Sequence, residues 1–163
     1  MPTIISGDTG VNQITAGAIE FADLPTGSVL QVVNGIYGTQ TTTTTNTLVD
    51  TGLYATITPK FSTSKILVLV DQQSCGKTND ARLQIALYRN TTQILYVTEL
   101  AAYTGANTNN NCGSVSTCYL DSPATTSATT YKTMQSNYNS GVGSTITQWN
   151  TSYSTITLLE IAG

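Results

Sequence analysis

The chain has 163 residues, a formal charge of -3 and no histidine. Its length suits one compact domain with a short extension, and 39% apolar residues against 9% charged residues exclude a disordered chain. Uncharged groups supply most of the polar surface, with 32 Thr, 14 Ser and 12 Asn residues. Because Thr favours strands, while Ser and Asn favour turns, the composition predicts an all-β protein.

The chain lacks the residues that several classes of protein need for their function. Six Lys and Arg residues form no basic run, which argues against a nucleic-acid partner. No apolar stretch approaches the ~20 residues that span a bilayer, and the N-terminus has no signal-peptide pattern. The lack of histidine removes the most common general base and metal ligand, and the spacing of the acids selects no carboxylate pair. We therefore expect a non-enzymatic protein without a cofactor or metal and without membrane insertion.

Residues 1–26 predict an N-terminal docking arm, because their aliphatic residues are too sparse to form a core. A partner chain is the natural tether for such an arm. The alternative is that the arm folds back on its own domain as an extra strand. The apolar anchors expected in the arm are Ile4, Ile5, Val11, Ile14, Ile19 and Phe21.

From residue 27 to residue 163, short apolar segments alternate with turn-rich loops, which predicts a β-sandwich or barrel. Residues 65–70 (KILVLV) contain five consecutive aliphatic residues and predict a strand that is covered on both faces. Residues 83–88 and 93–99, joined by a turn at residues 89–91, predict a hairpin, and residues 107–111 predict a loop. The other predicted strands are 28–33, 53–59, 114–120, 131–136, 144–149 and 153–161.

The three cysteines have no metal-site spacing, and their odd number favours free thiols over a disulfide framework. In one extended strand, Cys112 and Cys118 would lie ~20 Å apart, beyond disulfide reach. A turn between them would bring them together, so the sequence leaves their pairing open.

Nine tyrosines and few charges suit a surface that stacks on sugar rings, although such residues also pack between sheets or subunits. Tyr103 and Tyr138 fall in predicted loops and are the best exposed candidates. Amide side chains in the same region supply hydrogen-bonding groups. The candidate receptor-contact residues are Tyr103, Asn107, Asn109, Asn110 and Tyr138.

Five segments resemble the virion surface proteins of tailed bacteriophages, especially marine and cyanobacterial phages. These segments are 27–33 (GSVLQVV), 50–59 (DTGLYATITP), 62–70 (STSKILVLV), 121–131 (DSPATTSATTY) and 154–161 (STITLLEI). The resemblance implies a jelly-roll-like β domain, often trimeric, carried on an N-terminal segment that attaches to the particle. It implies no catalytic residues.

The resemblance implies a location on the virion surface, reached by assembly in the host cytoplasm. The leading expectation is a capsid decoration, or cement, protein that stabilises the shell as a homotrimer. Its partner would be the major capsid protein or a tail adaptor. The alternative is a tail-fibre or head-fibre tip that attaches to a host surface glycan. The absence of a repetitive shaft between arm and domain favours decoration.

Overall fold

The computed structural model describes residues 19–163, which contain ten β-strands and two short 3₁₀ helices. The helices are Phe21–Asp23 and Trp149–Thr151. The strands are β1 (Val29–Tyr37), β2 (Thr41–Thr43), β3 (Val49–Ile57), β4 (Lys65–Lys77), β5 (Leu83–Arg89), β6 (Thr92–Ala101), β7 (Asn110–Asp121), β8 (Thr129–Asn137), β9 (Thr145–Thr147) and β10 (Ser154–Ile161).

The strands form two antiparallel sheets packed as a sandwich. The first sheet has the order β1-β10-β4-β9-β2, with β7 on the other side of β4, and the second has the order β3-β8-β5-β6. Setting aside the three-residue strands β2 and β9, the eight long strands run 1-8-3-6 and 2-7-4-5 when they are numbered along the chain. This is the strand order of a jelly roll, built from two Greek keys. The expected all-β, jelly-roll-like sandwich is confirmed.

The interior between the sheets holds a main apolar cluster, a polar layer and a smaller apolar cluster around Cys75, Leu83 and Ile85. The main apolar cluster is Leu53, Ala55, Ile57, Ile66, Val68, Val70, Leu87, Tyr131, Ile156 and Leu158. At the next level along the strands, a hydrogen-bonded chain of buried polar side chains replaces it. The Thr133 hydroxyl donates to Gln72 Oε1 at 2.7 Å, and Gln72 Nε2 donates to Ser154 Oγ at 3.3 Å. Because β8 belongs to the second sheet, and β4 and β10 to the first, this chain ties the sheets together.

A partly buried ion pair ties the sheets together at the apolar end. Arg89 Nη1 on β5 donates to both carboxylate oxygens of Asp121 on β7, at 3.0 and 2.9 Å. The Tyr131 hydroxyl on β8 donates to the same carboxylate at 2.6 Å. Burial first, and then the Asp121 carboxylate, raise the pKa of Tyr131 far above its usual value.

The structure corrects the prediction for residues 65–70. Ile66, Val68 and Val70 point between the sheets and are buried, but Leu67 and Leu69 point away from them. Leu69 is 39% exposed, because no layer of the described residues covers this outer face. The expectation of a strand covered on both faces is therefore wrong for the single chain.

Other sequence expectations are partly met. The predicted hairpin is present as β5 and β6, and the last strand, β10, lies between β1 and β4. The loop predicted at residues 107–111 ends earlier, since β7 begins at Asn110. Of residues 144–149, only three form a strand before the second 3₁₀ helix begins at Trp149.

Candidate interaction surfaces

The chain enters the described structure at one end of the sandwich, where β10 ends and β4 begins. The 3₁₀ helix there places Phe21 and Leu24 in a cleft that Phe61 and Ala162 also line. The Lys60 ammonium lies 5.3 Å from the centroid of the Phe21 ring, within cation–π range. These contacts hold residues 21–24 against this end of the body.

The structure describes two of the six predicted arm anchors. Ile19 is 54% exposed and Phe21 is 45% exposed, so both present apolar surface at this end. Ile4, Ile5, Val11 and Ile14 lie outside the described residues.

Three loops meet at the opposite end of β4, at residues 78–82, 102–109 and 138–144. The buried Lys77 ammonium donates to the backbone oxygens of Asn79, at 2.5 Å, and Ala106, at 2.8 Å, and so joins the first two loops. The Tyr138 amide donates to the Arg82 carbonyl at 2.9 Å, which joins the third loop to the first. The loops that carry the candidate receptor-contact residues are therefore neighbours in space.

A shallow cleft of about 270 Å³ lies at this loop end, lined by Arg82, Glu99, Leu100 and Tyr138. The Arg82 guanidinium stacks on Tyr103, 4.6 Å from the ring centroid, and also donates to its hydroxyl at 3.2 Å. Arg82 Nε is buried and has no hydrogen-bond partner among the described residues. Tyr138 is 59% exposed. The cleft thus combines an aromatic face, a cationic donor and a carboxylate acceptor.

The structure separates the three predicted asparagines by role. Asn107 is exposed in the loop, whereas Asn109 Oδ1 accepts from the Asn79 amide at 3.4 Å. Asn110 is the first residue of β7, and its Nδ2 donates to the Ala102 carbonyl at 2.9 Å. Asn110 therefore lies in a strand and not in the predicted loop, and its side chain joins the start of that strand to the start of the loop.

Sequence reasoning missed Arg82, Glu99 and Lys77, which build or support the cleft. Lys77 belongs to a Gly-Lys-Thr segment that resembles the end of a phosphate-binding loop, but here it ends a strand. Arg82 and Glu99 lie on either side of the predicted hairpin. Their place at the two ends of the hairpin is the sequence signal that could have predicted that Arg82 and Glu99 are close, since the first and last residues of a hairpin are neighbours.

The outer face of the first sheet carries aliphatic side chains in register across four strands. Val32 on β1 pairs with Leu159 on β10, which pairs with Leu67 on β4, which pairs with Leu120 on β7. Leu69 and Ile161 extend this patch above and below the row. We call it the aliphatic face, and its residues are Val32, Leu67, Leu69, Leu120, Leu159 and Ile161.

Charge is confined to the two ends of the aliphatic face. Lys65 pairs with Ile161 at one end of β4, and Asp71 lies beyond Leu69 at the other. Val32 is 58% exposed and Leu120 is 50% exposed. These side chains form an exposed apolar patch between the two charged ends.

The strands β6 and β7 lie at the edges of their sheets, on the same side of the sandwich, and each has one edge without a partner strand in the described residues. Within the described residues, β7, which is 12 residues long, pairs only with β4, and β6, which is 10 residues long, pairs only with β5. Natural sheets protect such edges with charge, proline or a covering element. Glu99 on β6 and Asp121 on β7 are the only charged residues in these strands, and Asp121 is buried.

The three cysteines are free, which answers the question that the sequence left open. Cys112 and Cys118 lie in one strand, and Cys75 is fully buried. Burial raises the pKa of the Cys75 thiol well above its usual value, so the thiol stays protonated. Cys118 is exposed beside the aliphatic face, because it pairs with Leu69 across β4 and β7.

No known protein-family model matches this chain, and a comparison with curated proteins finds no significant similarity. Among residues 19–163, no helix is long and apolar enough to cross a membrane.

Proposed function

We propose that this protein is a non-enzymatic structural component of a phage virion that decorates the outer capsid surface as a homotrimer. The arm, residues 1–26, docks on the major capsid protein or a tail adaptor, and the sandwich forms the projecting body. The proposal starts from the resemblance of five segments to phage virion surface proteins. The observation that supports it best is that the described end of the arm, residues 19–26, and the three loops lie at opposite ends of β4.

Such a protein stabilises the shell by mass action. It binds the assembled lattice and not the dissociated subunits, so its binding free energy adds to the stability of the assembled state. Ile19 and Phe21, the two arm anchors that the structure describes, are exposed and continue the anchoring surface of the arm up to the sandwich.

A pull-down on purified, undecorated capsids tests this function. The full-length protein is compared with a variant that carries Ile4→Ser, Ile5→Ser, Val11→Ser and Ile14→Ser. We expect the wild type to bind capsids and the arm variant to lose binding while it keeps its fold. Capsid binding by both proteins, or by neither, contradicts arm-mediated decoration.

The cleft at the loop end favours a second candidate function, attachment to a host surface glycan. Tyr138 offers a ring face for stacking, Arg82 offers a donor, and Glu99 offers an acceptor for sugar hydroxyls. In this case Tyr138→Ala abolishes binding to host cell envelopes, whereas the arm variant retains it. Binding to envelopes but not to capsids would replace decoration with a receptor-binding tip.

A further inference from the structure

We propose that the aliphatic face binds the aliphatic faces of other copies of this chain. The inference rests on the proposed function only for the number of copies, three, and not for the contact itself. In a threefold assembly, the first sheet of each copy would face the axis, and the aliphatic rows of the three sheets would form a second apolar core.

The sequence of β4 is the first argument for this contact. Its aliphatic residues alternate between the two faces, with Ile66 and Val68 buried inside and Leu67 and Leu69 outside. A strand that is apolar on both faces is characteristic of burial on both faces. The single chain supplies one covering layer, the second sheet, and another molecule must supply the other.

The distribution of charge indicates that the covering molecule is a second copy. The row that joins Val32, Leu159, Leu67 and Leu120 carries no charge, so its partner must itself be apolar. The aliphatic face of another copy meets that requirement. Lys65 and Asp71 lie at the two ends of the face, where they would remain hydrated at the rim of the contact.

The face is large enough to form part of an interface between copies, but not all of it. Four strands spaced ~4.8 Å apart, each with about seven residues of ~3.3 Å, give a flat area of roughly 440 Å². A stable interface buries roughly 800 Å² on each partner, so the face supplies about half, and the free edge of β7 adjoins it. Permanent interfaces are the apolar ones, whereas a surface reserved for the capsid would be exposed before docking.

Substitution of exposed residues on the face tests the contact. Val32→Glu and Leu120→Glu place a charge where two copies would meet, and Tyr54→Glu is the matched control. Tyr54 is 60% exposed on the outer face of the second sheet. Because all three side chains are at least half exposed in the single chain, the variants should fold, which circular dichroism and thermal unfolding check.

We expect Val32→Glu and Leu120→Glu to raise the dissociation constant for self-association by roughly a hundredfold or more, because each would bury an unpaired charge. Sedimentation at micromolar concentration should then show single chains, with Tyr54→Glu unchanged from wild type. In a Cys112→Ser background, maleimide should label Cys118 slowly in the wild-type assembly and faster in the Leu120→Glu variant.

Three results would overturn the inference. They are a monomeric wild type, variants that keep the wild-type mass and still bind capsids, and variants that keep that mass but lose capsid binding, which would assign the face to the capsid. A wild-type dimer that the same variants dissociate would support self-association through this face and contradict the proposed trimer. If only the arm variant loses capsid binding, that result concerns the proposed function and does not test the contact between copies.

Discussion

The outer faces of the two sheets differ, although both sheets turn alternate apolar residues inward. On the second sheet, Lys132 Nζ forms an ion pair with Asp50 at 2.8 Å, and the hydroxyls of Thr56 and Thr130 lie 2.8 Å apart. On the first sheet, the equivalent surface is the aliphatic face. Water hydrates the polar groups on the outer face of the second sheet, whereas it solvates the aliphatic face of the first sheet poorly.

The two outer faces show that a strand sequence meets two separate requirements, folding of the chain and contact with other molecules. The inward positions build the sandwich, and either outer face would leave that sandwich intact. The outward positions determine what the folded chain contacts. An aliphatic outer face therefore indicates a requirement beyond folding, which we assign to contact between copies.

Removal of the central strand of the first sheet should have the largest effect. A chain that lacks residues 153–163 loses β10, which separates β1 from β4 and carries Ile156 and Leu158 into the core. We expect an insoluble product, measured as the soluble fraction after expression beside the wild type. A soluble, trimeric product would show that β10 is dispensable.

Substitution of two neighbouring leucines on β10 compares the inner and outer faces of the first sheet within one strand. Leu158 is fully buried between the sheets, and Leu159 belongs to the aliphatic face. Leu158→Ala should lower the free energy of unfolding by about 2–5 kcal/mol, because it leaves a cavity. Leu159→Ala should change the unfolding of the single chain by about 1 kcal/mol or less, and should weaken self-association instead. Denaturant titrations over a range of protein concentrations measure both effects, and equal effects on unfolding would contradict the assignment of the faces.

The buried Tyr131 predicts a loss of stability at high pH. Its pKa in the folded protein is raised above the unfolded value near 10, so folding favours the protonated phenol. The stabilisation is complete below pH ~10 and is lost as the pH rises above it, since the unfolded chain then releases the proton first. Chemical denaturation between pH 8 and 11, in approximate steps of one unit, should show a steeper decline for wild type than for Tyr131→Phe. Parallel declines would remove Tyr131 as the cause.

Substitution on the polar outer face should have the smallest effect. Lys132→Ala removes the partner of Asp50, but both side chains are partly exposed, at 28% and 47%. Such pairs contribute roughly 0–1 kcal/mol, so the unfolding midpoint should barely move, and the oligomeric mass should not change. A change in mass with Lys132→Ala would mean that the second sheet also contacts a partner.

The sequence predicted the sandwich because alternation within short segments is a local property. The hairpin of β5 and β6 and the terminal strand β10 needed no knowledge of distant residues. The ends of strands were less predictable where polar residues continue a strand. For example, β4 extends through Gln72 and Gln73 to Lys77. Gln72 joins the buried polar network of the sandwich, and no local sequence pattern predicts such a network.

The candidate sites were predictable in part. Tyr103 and Tyr138 were expected in loops and are exposed, but Arg82 and Glu99 join them through the fold of the hairpin and not through sequence proximity. The aliphatic face was present in the sequence as a run of aliphatic residues, interpreted as a strand buried on both sides. Only the register of β1, β10, β4 and β7 showed that one side stays open in the single chain.

The mass of the wild-type protein in solution tests the contact between copies most directly. Sedimentation equilibrium at micromolar concentration should give three times the chain mass of 17.2 kDa, since three copies would cover the aliphatic face. A mass of one chain, 17.2 kDa, would contradict both the trimer and the role assigned to this face.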